Sequence, residues 1–220
     1  MSGSRLSRLQ ARVLRTLAAF DPAWTLTGGG ALVGFHLQHR ITRDLELFWH
    51  GERQLGGIGD RVAERLIGDG LTVSAIQTAQ EFRRFRVSNG AEVVILDLVA
   101  DPSDVIEPPV WVQLEDVQIQ LDTLHEILVN KLCALLGRLE LRDLQDVRAL
   151  LEAGGDLGRA LADAPRKDGG FSPLTLAWVL RCMDCHAMAH AIGMRAEEAG
   201  ALTRFQDELI DRLTASGSPE

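Results

Sequence analysis

The chain changes its hydrophobic period part-way along. Up to about residue 121, short segments alternate apolar and polar residues between glycine and proline breaks; beyond it, apolar residues recur at helical spacing. Alternation marks strands with one wet face, and a repeat of three to four residues marks amphipathic helices. A chain of this kind folds as an α/β half followed by an all-helical half. The expected organisation is an N-terminal amphipathic helix at 1–19, a core at 20–121 and a helical region at 122–220.

Within the first half, Leu6, Leu9, Val13, Leu17 and Phe20 predict a helix over 4–19. Its other face carries Arg5, Arg8, Arg12 and Arg15, which reads as a solvated face or as an arm touching an RNA backbone. A short strand at Trp24–Leu26, a glycine turn at Gly28–Gly30 and a helix through about Gln38 follow. Next come a strand around 45–48, a helix around 58–68 and strands at 71–77, 81–88 and 91–99, with Asn89-Gly90 joining the last two as a hairpin. The stretch 101–109 is a loop and 111–120 a short strand pair. The second half offers helices at 123–137, 142–153, 172–192 and 196–214.

Composition removes several classes. A chain of 220 residues, 46% hydrophobic and 25% charged, is neither disordered nor fibrous. A net charge of −8 argues against a main role in coating nucleic acid, though it leaves room for a local basic groove. No apolar run reaches the length of a membrane span, the first twenty residues lack the apolar core of a signal peptide, and three cysteines do not make a disulfide framework. A cytoplasmic, reduced protein with no membrane partner is expected. Among 23 basic residues only Lys131 and Lys167 are lysine, and asparagine occurs only at 89 and 130, as drift toward GC-rich codons would produce. Against that drift the pair Asn130-Lys131 stands out.

Three elements carry candidate chemistry. Asp44 and Glu46 sit two apart on a strand and share a face, so their carboxylates can hold Mg²⁺, a hard cation; the alternative is the wet face of a sheet. Asp97 alternates with Val93, Ile95 and Val99, an apolar row in which a carboxylate needs a neutralising partner. That partner is a metal shared with Asp44 and Glu46, or an arginine, Arg84 or Arg86, on the neighbouring strand. The turn Thr27-Gly28-Gly29-Gly30 lets a phosphate approach the backbone N–H groups, or is simply a tight turn. Together, a glycine turn, an acidic strand pair and a third acidic strand form a nucleotidyl-transfer constellation.

The segment LTGGGALVGFHLQHRITRDLELFW at 26–49 and the segment NKLCALLGRLELRDLQDV at 130–147 resemble the AbiEii/AbiGii-type nucleotidyltransferase toxins. Arg40, Thr42, Asp44 and Phe48 fit the first block; Lys131, Arg138, Arg142, Asp143 and Asp146 fit the second. The resemblance implies a polymerase-β-like α+β core, a mixed sheet with flanking helices, followed by a C-terminal helical region. It implies an NTP substrate, Mg²⁺ or Mn²⁺ as cofactor, an acceptor that in some relatives is tRNA, and a cognate antitoxin as partner. Asp44, Glu46 and Asp97 would serve metal and catalysis; Gly28, Gly29, Gly30, Arg40, Lys131, Asp143 and Asp146 would serve the nucleotide, Lys131 and Asp146 reaching it from the helical half. Two positions depart from the pattern: Glu46 replaces the usual second aspartate, and Gly30 stands where a hydroxyl is common. These departures keep open a degenerate nucleotide- or protein-binding member, and the fold keeps open a small-molecule nucleotidyltransferase.

Other signals are weaker. Cys182, Cys185, His186 and His190 share one predicted helix, which cannot wrap a zinc ion alone; Cys182 and Cys185 read better as small core residues. His36 and His39 have no partner nucleophile. Arg84 and Arg86 share a strand face, which either lines an acceptor-RNA groove or balances nearby acids.

Overall fold

A computed structural model describes residues 6–37 and 39–216. It divides into two compact units, Met1–Thr123 and Leu124–Glu220. Of the expected elements, Arg5 and the predicted helix end at Gln38 lie outside the described residues.

The first unit opens with α1 (Arg8–Leu17), which starts where Ser7 caps it: the Ser7 hydroxyl accepts from the Gln10 backbone N–H, and the Gln10 amide oxygen accepts from Ser7 N–H. Its arginine face is a solvated one within this unit, Arg12 pairing with Asp69 and Arg15 with Glu115 and Asp116. Strand β1 (Thr25–Thr27) passes directly into α2 (Gly28–Ala31), which loosens into a π-helical stretch, Leu32–His36, closed by Leu37 N–H to Leu32 O at 2.7 Å. Then follow β2 (Asp44–His50), α3 (Ile58–Gly68), β3 (Thr72–Thr78), β4 (Phe82–Ser88), β5 (Val93–Asp101), β6 (Val110–Leu114) and β7 (Val117–Leu121). The β4–β5 turn uses Gly90 at φ +91°, a conformation open to glycine without a Cβ clash.

All seven strands form one mixed sheet in the order β3-β4-β5-β2-β1-β7-β6. The pairs β2–β5 and β1–β7 are parallel and the other four antiparallel. Strand β2 shows how the sequence sorts its faces: Leu45, Leu47 and Trp49 are buried, whereas Asp44, Glu46, Phe48 and His50 are only half-buried. The buried set continues in Leu96, Leu98 and Phe85 and joins Val13, Leu17, Val62 and Leu66 of α1 and α3. These helices pack against each other, α1 also meeting β5 and α3 meeting β3.

The second unit is all-helical: α4 (Leu124–Gly137), α5 (Leu141–Glu152), α6 (Leu157–Lys167), α7 (Pro173–Arg181), α8 (Cys185–Ala191) and α9 (Ala196–Ser216). Two features differ from the sequence reading. Periodicity does not predict α6, which carries Pro165; it starts where Asp156 accepts from Arg159 N–H. The single helix predicted over 172–192 is broken at 182–184. There Asp184 caps α8, and the buried Gln206 amide donates to the Leu180 and Met183 carbonyls at 2.7 and 2.8 Å. Those bonds satisfy the carbonyls that a helix end exposes, which makes the break cheap.

Because β2 presents the acids on one face only if the other stays buried, Leu47→Ala is expected to lower unfolding free energy by about 2–5 kcal/mol, read by urea denaturation.

Candidate active site

Cross-strand register builds the polar face. Thr27 pairs with Glu46, Glu46 with Asp97, Asp97 with Arg84 and Arg84 with Gln77, so these five residues form one row across β1, β2, β5, β4 and β3. Residues paired in this way share a face. In the next row Asp44 pairs with Ile95 and Ile95 with Arg86. The structure therefore brings Asp44, Glu46 and Asp97 to one face of three-stranded β2–β5–β4.

Asp97 is buried, and Arg84 supplies its partner: Nε and Nη2 each donate to a different carboxylate oxygen at 2.7 Å. Such a fork is the strongest side-chain pairing available to a carboxylate. The hydrogen bond to Asp97, followed by the attraction of Asp97, Asp44 and Glu46, holds the Arg84 guanidinium above its ordinary pKa against the opposing effect of burial. Of the two arginines open in the sequence as its partner, Arg84 is the one engaged. Arg86 is exposed and makes no ion pair with a described residue.

The glycine turn lies against these acids. Gly28 has φ +59°, and a Cβ built there would fall 2.2 Å from Glu46 Oε2. The Glu46 carboxylate thus occupies the space a side chain at 28 would need. Gly29 stands in the same relation to Arg40, whose Nη2 would lie 2.8 Å from a Cβ. A side chain at Gly30 would meet Leu26 and Leu45 at 3.2 Å, so that position faces the core and not the acids.

The donor set fits a hard divalent cation. Asp44 and Glu46 offer carboxylate oxygens on one strand face, and Mg²⁺ characteristically takes one or two carboxylates and completes its shell with phosphate and water. Among the described residues no group of three or more His, Cys, Asp or Glu side chains is placed to hold a metal, which agrees with Asp97 being engaged by Arg84.

A family model described as nucleotidyl transferase AbiEii toxin, type IV toxin–antitoxin system, matches residues 12–207. The chain belongs to this AbiEii family. Its fold is that of solved relatives at low identity. MenT4, a nucleotidyltransferase toxin from Mycobacterium tuberculosis H37Rv, superposes with a TM-score of 0.63 at 16% identity, covering 96% of this chain and 82% of that one. JHP933 from Helicobacter pylori superposes with a TM-score of 0.52 at 20% identity, covering 94% and 90%. No curated protein matches the chain. No described helix is long and apolar enough to cross a membrane.

The second AbiEii block forms a buried charge network in the helical unit. Lys131 Nζ lies 2.7 Å from Asp143 and 2.9 Å from Asp146, both fully buried, and Arg138 also reaches Asp143 at 2.9 Å. Arg142 turns instead to Glu140. A second buried pair, Lys167 with Glu126, joins α6 to α4 and carries no motif. The Cys182–His190 string holds no metal cluster: Cys182 is exposed, contrary to its reading as a core residue, while Cys185 is buried and burial raises its thiol pKa.

Sequence reasoning missed one further cluster on the acid face. His50 lies between Asp101 (Nδ1, 3.0 Å) and the fully buried Asp122 (Nε2, 3.4 Å). Burial alone would lower its pKa, but the two carboxylates override that and lift it to about 9. Alternation along DLELFWH does place His50 with Asp44 and Glu46; Asp122 comes from beyond β7, which no local pattern reveals. His36 Nε2 contacts the Asp122 carbonyl at 2.9 Å, and burial lowers its pKa.

Two measurements check these assignments. His50 titrates higher in the folded chain than its ordinary 6.5, so its contribution to stability is complete below pH 6.5 and is lost as pH rises through 9. Wild type should lose on the order of 3 kcal/mol more than His50→Gln between pH 6 and 10. Lys131→Met takes the ammonium from between two fully buried carboxylates, Asp143 keeping only its Arg138 contact, and is expected to cost about 3–5 kcal/mol in urea denaturation.

Proposed function

We propose that this chain transfers a nucleoside monophosphate from an NTP to a hydroxyl group of an acceptor, RNA being the acceptor class favoured, with tRNA first among them. The observation that carries the reading is the seating of the glycine turn against an acidic strand: Gly28 abuts the Glu46 carboxylate, and Asp44 lies one alternation away on the same face. Triphosphate at the turn would meet backbone N–H groups on one side and carboxylates able to share a cation with it on the other.

Asp44 and Glu46 are assigned to hold the cation, Mg²⁺ or Mn²⁺, which when bound supplies charge neutralisation at the α-phosphate and lowers the pKa of the attacking hydroxyl. Gly28 and Gly29 let the chain approach phosphate closely. The Arg40 guanidinium, held beside Gly29, balances the charge that builds on departing pyrophosphate. The acceptor oxygen forms a bond to the α-phosphorus as the bond to the bridging oxygen breaks; pyrophosphate leaves with the electron pair, and the hydroxyl proton passes to a carboxylate of the acidic row. Lys131, Asp143 and Asp146 are assigned to nucleotide binding by the family pattern, and act as one network.

Family membership also favours a toxin role held in check by a cognate antitoxin. Arg86, exposed on the acid face, is the cation best placed in this unit to meet an RNA backbone.

Purified chain incubated with each α-³²P-labelled NTP, Mg²⁺ and total RNA should label a discrete RNA band. Asp44→Ala should abolish that label, by at least about a hundredfold, with an unchanged thermal melt. Label retained in Asp44→Ala would sink the assignment. Label found only on small-molecule or protein acceptors would move the acceptor class while leaving the chemistry in place.

A further inference from the structure

The acid row has a neighbour on the same face of the sheet. Register joins Phe82 of β4 to Val99 of β5, Val99 to Phe48 of β2, Phe48 to Thr25 of β1, Thr25 to Gln120 of β7 and Gln120 to Trp111 of β6. Phe48 lies two residues from Glu46, Val99 two from Asp97, Phe82 two from Arg84 and Thr25 two from Thr27, so this second row shares the acid face. It carries three aromatic side chains. Phe48, Val99 and Phe82 are half-buried, and Trp111 is 59% exposed. The core formed with α1 and α3 lies on the opposite face, with Leu45, Leu47, Leu96 and Leu98, so burial in that core does not account for aromatic residues here.

The row's place relative to the glycine turn decides what it can hold. Strand β1 runs antiparallel to β2: it passes the aromatic row at Thr25, the acid row at Thr27, and then enters the turn. A Cβ at Gly29 would stand 3.3 Å from Thr42 Oγ1, on the side of Glu46 away from Phe48. Triphosphate at the turn sets the departing pyrophosphate on that side. In an in-line displacement the attacking hydroxyl enters opposite the leaving group, which is the side of the aromatic row.

Length selects the occupant. From Phe82 to Trp111 the row crosses six strands, about 24 Å at ordinary strand spacing. The single base of an NTP, or a small-molecule acceptor, covers only part of it. A run of unpaired nucleotides covers it all, because every base offers a flat face to an aromatic ring. Bases held in a duplex do not. Cations stand alongside: the Arg84 guanidinium lies 5.5 Å from the Phe82 ring centroid, and Arg86 is exposed two residues beyond on β4.

We propose that Phe82, Phe48 and Trp111 form the acceptor-strand site, on which the bases of a single-stranded RNA end stack so that its terminal hydroxyl enters opposite the glycine turn. This rests on the nucleotidyl-transfer reading above. Phe48, next to Glu46 along β2, takes the terminal base, and Trp111 takes a base further back along the strand.

The test measures binding apart from turnover. A fluorescein-labelled single-stranded RNA of about ten nucleotides is titrated with the full chain, without NTP, and its anisotropy is read. Trp111→Ala and Phe82→Leu should each weaken binding by at least about fivefold, with an unchanged thermal melt. The slope of affinity against salt should not change, since neither substitution removes a charge. Trp111→Phe keeps a ring and should recover most of the loss. Calorimetry with Mg²⁺ and each of the four nucleoside 5′-(α,β-methylene)triphosphates should give every variant the nucleotide affinity of wild type. If Phe82→Leu does not fold, the two Trp111 variants decide the matter.

RNA affinity unchanged in Trp111→Ala would overturn the proposal and leave nucleotidyl transfer standing. So would a blunt RNA duplex bound as tightly as the single strand. A fall in nucleotide affinity in place of RNA affinity would give the row to the base of the NTP, again overturning it. An RNA complex that depends on the row but takes no label from any α-³²P-labelled NTP would overturn the transfer reading, and the acceptor role with it, while keeping the row as an RNA-binding site.

Discussion

A carboxylate set into an aliphatic strand must be given a cation, and the polar face of this sheet is arranged around that requirement. Asp97 alternates with Val93, Ile95 and Val99 along β5, and Arg84 of β4 meets its buried carboxylate with both nitrogens of a fork. The fork is available only in one register. A slip of one residue between β4 and β5 would turn Arg84 to the opposite face, among Leu96, Leu98 and Phe85, and would leave Asp97 unpaired. The same register, carried across β2 and β1, sets Glu46 beside Asp97 and Thr27 beside Glu46. The ion pair thus holds the row in place as the row holds the ion pair.

The glycine turn extends this dependence beyond the sheet. Because β1 passes into α2 without a connecting loop, the start of the helix is tied to the register of β1 against β2. Glu46 then projects into the space left by Gly28, and any side chain there would displace the carboxylate. Close approach, more than φ freedom alone, explains the glycine. Gly30 shows the contrast: it faces Leu26 and Leu45, so its departure from the family pattern alters core packing and removes nothing from the acid face.

Elements whose cause is local were legible in the sequence. The alternation Leu45, Leu47, Trp49 against Asp44, Glu46, Phe48 marks β2 and its two faces; α3 begins and ends at the residues its periodicity predicts; Asn89-Gly90 closes the hairpin it announces. Elements whose cause is distant were not. The break between α7 and α8 depends on an amide from α9, and the helical pattern of 172–192 runs through it without a signal. Alternation put both Arg84 and Arg86 on the right face to meet Asp97, and only register separates the fork at 2.7 Å from the exposed neighbour. His50 was readable as a member of the acid face, whereas its partner Asp122 was not, since it arrives from the far end of β7.

The lysines show how one sequence signal can have a physical cause other than the first that suggests itself. In a chain that uses arginine nearly everywhere, the side chains of both lysines are buried, and each is ion-paired with a fully buried carboxylate. Arginine suits a single carboxylate approached edge-on, where two parallel bonds form, as at Asp97. Lys131 meets a different demand. It must place one charge between single oxygens of two carboxylates, Asp143 and Asp146, one helical turn apart. A compact ammonium with tetrahedrally disposed donors meets two separate acceptors in a small, buried space. At 131 the lysine supplies a point charge that the buried carboxylates of the helical core need.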